Sequence, residues 1–500
     1  MYDLYKPFRN YMRRFPFADS METIWLFAGH LAGQGPQADR LRLPREQGWP
    51  DTLKDTIFPW DLELLARETI LNSPTMGGDK SLGRWEEFAG AINFIRHIDN
   101  EISRQSDGEE VLRELHRIVH RQFPWQRPPS ATSIMRYYKI FGASELKPAV
   151  EQQTGIPIHK FYLLAFAVSG GFLRSAGINM ATDYSAIGVS REESAAFFQK
   201  MSTTLPVLRE QTRALQRYDD GWFYAWNPLQ ARPLVAFDPS YPERAYCPIP
   251  MYMLRRTSDG LFYDLVKTSG FDNAYGAAFQ SYVGTVLAEL LKPPKFEVLA
   301  EAPYDLGKAY RKHGVDWTVL DATANLFIEC KTKRLRQDAK FIVSGTGLEN
   351  AMDTLGSYVV QHYKNIVDAL AAKTKWLPNE KPCFAIIVTL EDWWIFTPPI
   401  VSMLDDSVTR HLAESGIDRS ILERVPFTVA SIDELEIGCQ IMAEIGIEPF
   451  LGMKSGAEHR GWSLSPFSIA KFPEQAARAN RRLFGDEFLS FGSSLTNGSR

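Results

Sequence analysis

The chain has 500 residues, room for roughly two to four domains of ordinary size. Its hydrophobic share of 45% and charged share of 23% exclude a disordered or fibrous protein. Lys and Arg total 56 against 60 Asp and Glu, a formal net charge of -4, so the chain is no polycation and any nucleic-acid contact must come from a local basic patch.

In chain order, residues 1–150 read as a helical domain. Apolar residues recur at helical spacing over Ile57–Leu71, Trp85–Ile102 and Glu109–Phe123, with Pro and Gly clusters at 33–36, 74–78 and 124–129 between them. Residues 151–267 continue as a helical block to about Tyr218 and then turn rich in Pro and aromatic residues, which predicts short extended pieces and turns. Ser190 with Glu193 three residues on predicts a capped helix start. Phe161–Val168 is the most apolar stretch, too short to span a membrane, which takes about 20 apolar residues, and is expected to be a buried helix. The four cysteines stand apart, and the N-terminus lacks a signal-peptide pattern. Both fit a reducing cytoplasm, with no membrane association expected.

From residue 268 to 445 the texture becomes α/β. The pattern predicts a helix over Asn273–Leu291, a strand at Lys295–Ala300, strands Gly314–Leu320 and Leu326–Thr332 joined by a turn, a helix over Asp353–Ala371, and strands at Cys383–Leu390 and Val425–Ala430. A further helix is capped by Ser431 with Glu434. This alternation argues for a mixed sheet with flanking helices. The whole therefore reads as α+β and multidomain, with a largely helical N-terminal half. Residues 446–500 form an extension ending in a frayed tail from about Gly492.

Several motifs are absent. Gly77-Gly78-Asp79-Lys80-Ser81 is not a phosphate-binding loop. His116 and His120 share a helix face without the Glu of a zinc protease motif and read as surface histidines. The stretch that carries chemistry is Gly314-Val315-Asp316-Trp317, a turn, and Leu326-Phe327-Ile328-Glu329-Cys330-Lys331-Thr332-Lys333. Strand alternation puts Glu329, Lys331 and Lys333 on one face, and antiparallel pairing would set Asp316 beside Glu329. Two carboxylates beside an ammonium suit a hard divalent cation and a phosphate. Five basic residues lie between Lys331 and Lys340, including Lys333, Arg334 and Arg336. Lys308, Arg311 and Lys312 precede the motif. Together they suggest a rim for a phosphate backbone. Arg113, Arg117 and Arg121 form a further stripe, read as a solvated face beside Glu109, Glu110 and Glu114.

The acid pair with its Lys resembles the motif of the PD-(D/E)xK nuclease superfamily, whose fold is that of restriction endonucleases. The resemblance spans residues 270–440. It implies a restriction-endonuclease-like core and an endonuclease using Mg²⁺, or Mn²⁺. Asp316, Glu329 and the Cys330 carbonyl would hold the metal, Lys331 would position or activate water, and Gln280 would stand where Glu is common in the family. Val315 stands where the motif's Pro would be. Tyr358-Val359-Val360-Gln361-His362-Tyr363-Lys364 is similar to the family's next helix, with Gln361 and Lys364 expected toward nucleic acid alongside Lys333, Arg334 and Arg336. DNA is the expected polymer over RNA, with a partner protein or a homodimer in view. Large bacterial proteins of this layout resemble restriction and anti-phage defence nucleases. A tRNA-type RNA nuclease and a non-catalytic nucleic-acid-binding scaffold on a decayed core are the alternatives.

Overall fold

The computed structural model describes residues 1–33, 53–104, 111–305, 311–342, 346–479 and 483–497. Positions 34–36, Glu109, Glu110, Lys308 and Gly498-Ser499-Arg500 lie outside them. The chain forms two compact units. One comprises Met1–Val111, Arg121–Phe271 and Phe484–Arg500, and the other Leu112–His120 and Asp272–Leu483. The boundary read at 267 lies close to the division after Phe271, while those read at 150 and 445 do not coincide with this grouping, because a pattern read along the chain cannot see a segment returning to an earlier core. The fold is α+β: mostly helical up to about residue 270, then mixed sheet with helices. Among the described residues no helix is long and apolar enough to cross a membrane.

The first unit is built on helices such as Tyr2–Met12, Phe17–Leu31, Pro59–Asn72 and Trp85–Ser103. Their apolar faces share one core with Leu205, Leu208, Trp222 and Val235. The capped helix after Ser190 runs Arg191–Met201, with both bonds of its capping box made. The Pro-rich stretch holds two short 3₁₀ turns and strands Leu234–Ala236 and Arg244–Tyr246. These strands join Gly177–Asn179 and Ser202–Thr204 in a small sheet that the sequence does not announce. Three-residue strands carry too little alternation to show a period. The frayed-tail expectation is corrected. Gly485–Asn497 is a helix, held because Phe488 packs edge-on to Phe166 and Phe491 to Tyr138 and Phe166.

The second unit carries a five-stranded sheet in sequential order: β1 (Glu297–Ala300), β2 (Trp317–Leu320), β3 (Asn325–Lys331), β4 (Cys383–Thr389) and β5 (Phe427–Ser431). The pairs β1–β2 and β2–β3 are antiparallel, while β3–β4 and β4–β5 are parallel. Helix α1 (Phe271–Leu290) precedes β1, α2 (Gly347–Leu370) joins β3 to β4, α3 (Pro398–Glu414) joins β4 to β5, and α4 (Ile432–Ile445) follows β5. The odd-numbered side chains Phe327, Ala385 and Ile387 face a core with Leu355, Val359 and Ile366 of α2 and Leu404 and Val408 of α3. On the opposite face the Trp317 indole donates to the Gln280 carbonyl of α1 at 3.0 Å, and Tyr282 of α1 donates to Glu436 of α4 at 2.7 Å. Strand β4 is buried along its whole length, as a central parallel strand requires.

Two polar devices brace this unit. The β2–β3 turn is pinned by Asp321, whose Oδ1 accepts from the amides of Thr323 and Ala324 at 2.7 and 2.8 Å, and whose Oδ2 accepts from Ile447 N at 2.8 Å. The extension after residue 445 is thereby tied into the hairpin. Near the end of α2, buried Asp368 accepts from the Tyr304 hydroxyl and from the amines of Lys312 and Lys373, all within 2.9 Å. Burial works against its charge, but these three donors outweigh it and hold its carboxyl at about 2, below the usual 3.8. A depressed carboxylate stabilises the fold above its unfolded pKa and loses that contribution as pH falls through its folded one. Stability measured by urea unfolding is therefore expected to drop between about pH 4 and pH 2 by an amount on the order of 2 kcal/mol from this group. Asp368→Asn should flatten that part of the profile. An unchanged acid limb would refute the assignment.

Candidate functional site

The motif hairpin forms with the expected register. Trp317 opposes Ile328 and Leu320 opposes Asn325, so Asp316, one residue before β2, comes opposite Glu329. The Cys330 amide donates to Asp316 Oδ2 at 2.6 Å, and the Lys331 amine donates to Glu329 Oε1 at 2.7 Å. Alternation turns Glu329 and Lys331 toward α2. There the Lys331 amine sits 5.1 Å from the centre of the Tyr358 ring, a cation–π contact. His362, also on α2 and 1% exposed, places Nδ1 3.4 Å from Glu329 Oε2 and Nε2 3.3 Å from the Phe327 carbonyl. The Glu329–His362 approach lacks hydrogen-bond geometry, so Glu329 Oε2 is a buried oxygen without a donor.

The electrostatics separate the two acids. Burial pushes Asp316 up to about 7, helped by the charge of Glu329 and, to a smaller degree, of Glu301. Burial also works to raise Glu329, but His362 and Lys331 outweigh it and hold that carboxyl below its ordinary range. Desolvation pulls Lys331 down, yet the adjacent Glu329 and Asp316 raise it overall. Lys331 is thus an ammonium at neutral pH. The Cys330 thiol is pushed well up by burial and by the two carboxylates, which makes it a poor nucleophile.

Glu301 has no counterpart in the motif reading. It follows β1, and its amide donates to the Asp316 carbonyl at 2.9 Å, so Asp316 lies between Glu301 and Glu329 on the two neighbouring strands. Gln280 of α1 donates to Glu301 Oε2 at 3.3 Å. The amide that stands where the family favours an acid therefore rests against an acid from another element. An acid directly after a predicted strand was the available signal, but only the register makes it meaningful.

The remaining expected residues separate into two groups. Lys333 and Arg336 are exposed. Arg334 is only 9% exposed and pairs with Glu391 at 2.9 Å, which places it in the interior and away from a phosphate rim. Lys340 shares Glu391 at 3.8 Å, and Lys312 is occupied by Asp368. Gln361 and Lys364 are exposed on α2, whereas Tyr358, His362 and Asn365, which donates to the Gly314 carbonyl at 3.0 Å, are α2 side chains that reach the motif. The surface-histidine reading is corrected: His116 and His120 are 3% and 6% exposed, and His116 Nε2 lies 3.1 Å from the Ala339 carbonyl. Arg117, also buried, pairs with Glu114 at 2.9 Å, and Arg121 lies over the Phe223 ring, so that stripe is not a solvated face.

Among the described residues no group of three or more His, Cys, Asp and Glu is placed to hold a metal ion. Asp316 and Glu329 nevertheless fit Mg²⁺ or Mn²⁺, which takes one or two carboxylates and keeps several waters. The donor-less Glu329 Oε2 and the mutual repulsion that lifts Asp316 are the features a divalent cation would relieve. A separate shallow cleft of about 660 Å³ runs along α1 past Gln280, Ser281 and Gly284 to Trp317, the residue after Asp316. The chain matches no known family profile, no curated protein and no solved structure.

Gly284 sets the position of Trp317. A β-carbon there would overlap the indole ring, and Trp317 adjoins Asp316. Gly284→Ala is expected to cost about 1–3 kcal/mol through overpacking and to shift Trp317 fluorescence. Unchanged stability and emission would refute this packing role.

Proposed function

We propose that the chain is a metal-dependent nuclease that hydrolyses phosphodiester bonds, with DNA as its expected polymer. The observation that carries this reading is the register-opposed pair Asp316 and Glu329 at the end of β3, with the Lys331 ammonium bonded to one of them. The order helix, antiparallel hairpin, helix, parallel strand supports the resemblance to PD-(D/E)xK nucleases.

Asp316, Glu329 and the Cys330 carbonyl would hold Mg²⁺ or Mn²⁺, which when bound neutralises charge on a phosphoryl oxygen and acidifies a water. Lys331 stays protonated and so serves as donor and fixed charge: it orients the attacking water and offsets charge building on the phosphate. His362 and Tyr358 keep Glu329 and Lys331 on the α2 face. Glu301 and Gln280 keep a polar wall beside Asp316. Exposed Lys333, Arg336 and Lys364 are available to phosphates on the polymer.

The test is cleavage of plasmid DNA and of tRNA by the full chain, with Mg²⁺ or Mn²⁺ and with chelator. Metal-dependent DNA products are expected. Cleavage of tRNA alone would move the reading to an RNA nuclease of the same design. Binding of either polymer without cleavage, with every metal tried, would favour the scaffold reading, toward which Gln280 in place of the family's Glu points.

A further inference from the structure

A second cavity lies at the opposite end of the same strands. It measures about 420 Å³ and is lined by Pro382, Cys383 and Phe384 at the start of β4, by Leu422–Arg424, Pro426 and Phe427 around the start of β5, and by Lys454–Gly456 and Arg460. In the parallel register Cys383 pairs with Asn325 and Thr389 with Lys331. Six residues therefore separate the cavity from Lys331, roughly 20 Å at about 3.3 Å per residue. It is distinct from the carboxylate site.

Its charge is one-sided. Arg424, Lys454 and Arg460 face one carboxylate, Glu423, on the lining. Arg424 is exposed at the rim and has no ion-pair partner among the described residues. Arg460 spends one nitrogen on Asp405 at 3.1 Å. Lys454 is the unusual member, at 2% exposure. An ammonium carries three donors, and this one makes a single hydrogen bond, to the Arg460 carbonyl at 3.1 Å. The acid that acts on it, Glu434, is committed to the amides of Ser431 and Ser465. Burial consequently lowers the Lys454 amine to about 8. A buried ammonium with two unused donors is costly unless an anion completes it.

The other walls are apolar: Pro382, Phe384, Leu422, Pro426 and Phe427. The volume falls in the range of small-ligand pockets, about 300–1,000 Å³. We propose that this cavity is a second ligand site, taking a phosphomonoester carried on a small apolar or planar body. Three cations call for the two charges of a phosphomonoester more than the one of a carboxylate. Lys454 and Arg424 would bind the phosphate, and Phe384 and Phe427 the body.

The test uses the full chain in chelator, which silences the carboxylate site, with phenyl phosphate as probe and inorganic phosphate and phenol as comparisons, read by calorimetry. Phenyl phosphate should bind more tightly than either comparison. Arg424→Ala and Lys454→Met should each weaken it about tenfold or more, while Asp316→Ala should leave it unchanged. Arg424 is exposed, so its variant remains informative if Lys454→Met fails to fold. No binding of phenyl phosphate at millimolar concentration, or binding indifferent to Arg424→Ala, would overturn the proposal. Equal affinity for inorganic phosphate would overturn the apolar body. Loss of binding in Asp316→Ala would assign the ligand to the carboxylate site instead.

Discussion

Asp316→Ala and Lys331→Ala should each lower metal-dependent cleavage by about a thousandfold, the scale on which a fixed charge at a reacting phosphate acts. The two changes act differently. Loss of Asp316 removes half of the paired carboxylate and with it the metal affinity, so excess Mn²⁺ should restore part of the rate. Loss of Lys331 leaves both carboxylates, so the metal requirement should persist at a much lower rate. Asp316→Asn keeps the shape and removes the repulsion with Glu329, so a loss of cleavage there with unchanged urea unfolding would separate a chemical role from a structural one. Lys333→Ala, at an exposed position beyond the strand, should alter cleavage little and DNA affinity modestly. Undiminished cleavage in both alanine variants would remove the nuclease assignment from this site.

The second large effect concerns the first unit. Arg67 and Glu68 lie side by side at 1% and 0% exposure. Glu68 accepts from the Tyr5 hydroxyl at 2.6 Å, Asn72 at 3.1 Å, Gln216 at 3.3 Å and Arg67 at 3.2 Å. Arg67 also donates to the carbonyls of Trp222 and Ala225 and lies 5.1 Å from the Trp222 ring centre. Burial and the charge of Glu68 push the Tyr5 hydroxyl far above its ordinary value, so it stays protonated, donating to Glu68 and accepting from Asn72 Nδ2 at 3.0 Å. Glu68→Ala takes the carboxylate from a buried guanidinium and an acceptor from Tyr5, Asn72 and Gln216, and should cost about 3–5 kcal/mol. Chemical unfolding followed by tryptophan emission would measure it. A loss under about 1 kcal/mol would mean the network contributes no more than a surface pair.

What the chain shows on inspection is what repeats with a period. The hairpin carries a two-residue alternation, which alone places Asp316, Glu329 and Lys331 on one face. Apolar spacing gives α1 to within two residues at each end and the C-terminal end of α2 to within one, but α2 begins six residues before the Asp353 that the spacing suggests. Side chains whose role depends on a distant partner were not legible. Arg334 looks like a rim cation until Glu391, 57 positions later, pairs with it. On α2 the polar pattern favours Gln361 and Lys364, yet successive helical residues point about 100° apart, so His362 one position on faces the sheet instead. Glu301 became significant only when β1 paired with β2. The aromatic contacts of the last helix depend on rings more than 300 positions earlier, a relation that no local pattern encodes.

That last helix has a consequence for synthesis. Phe488 and Phe491 complete a cluster with Tyr138 and Phe166 in the first unit, but they emerge from the ribosome only after the whole second unit has been made. At about 5–20 residues per second, the aromatic face around Phe166 stays uncovered for tens of seconds during translation. Folding in birth order therefore leaves the first-made unit incomplete the longest. A chaperone that binds apolar surface would find its target there, and nascent chains stalled before residue 484 should retain it.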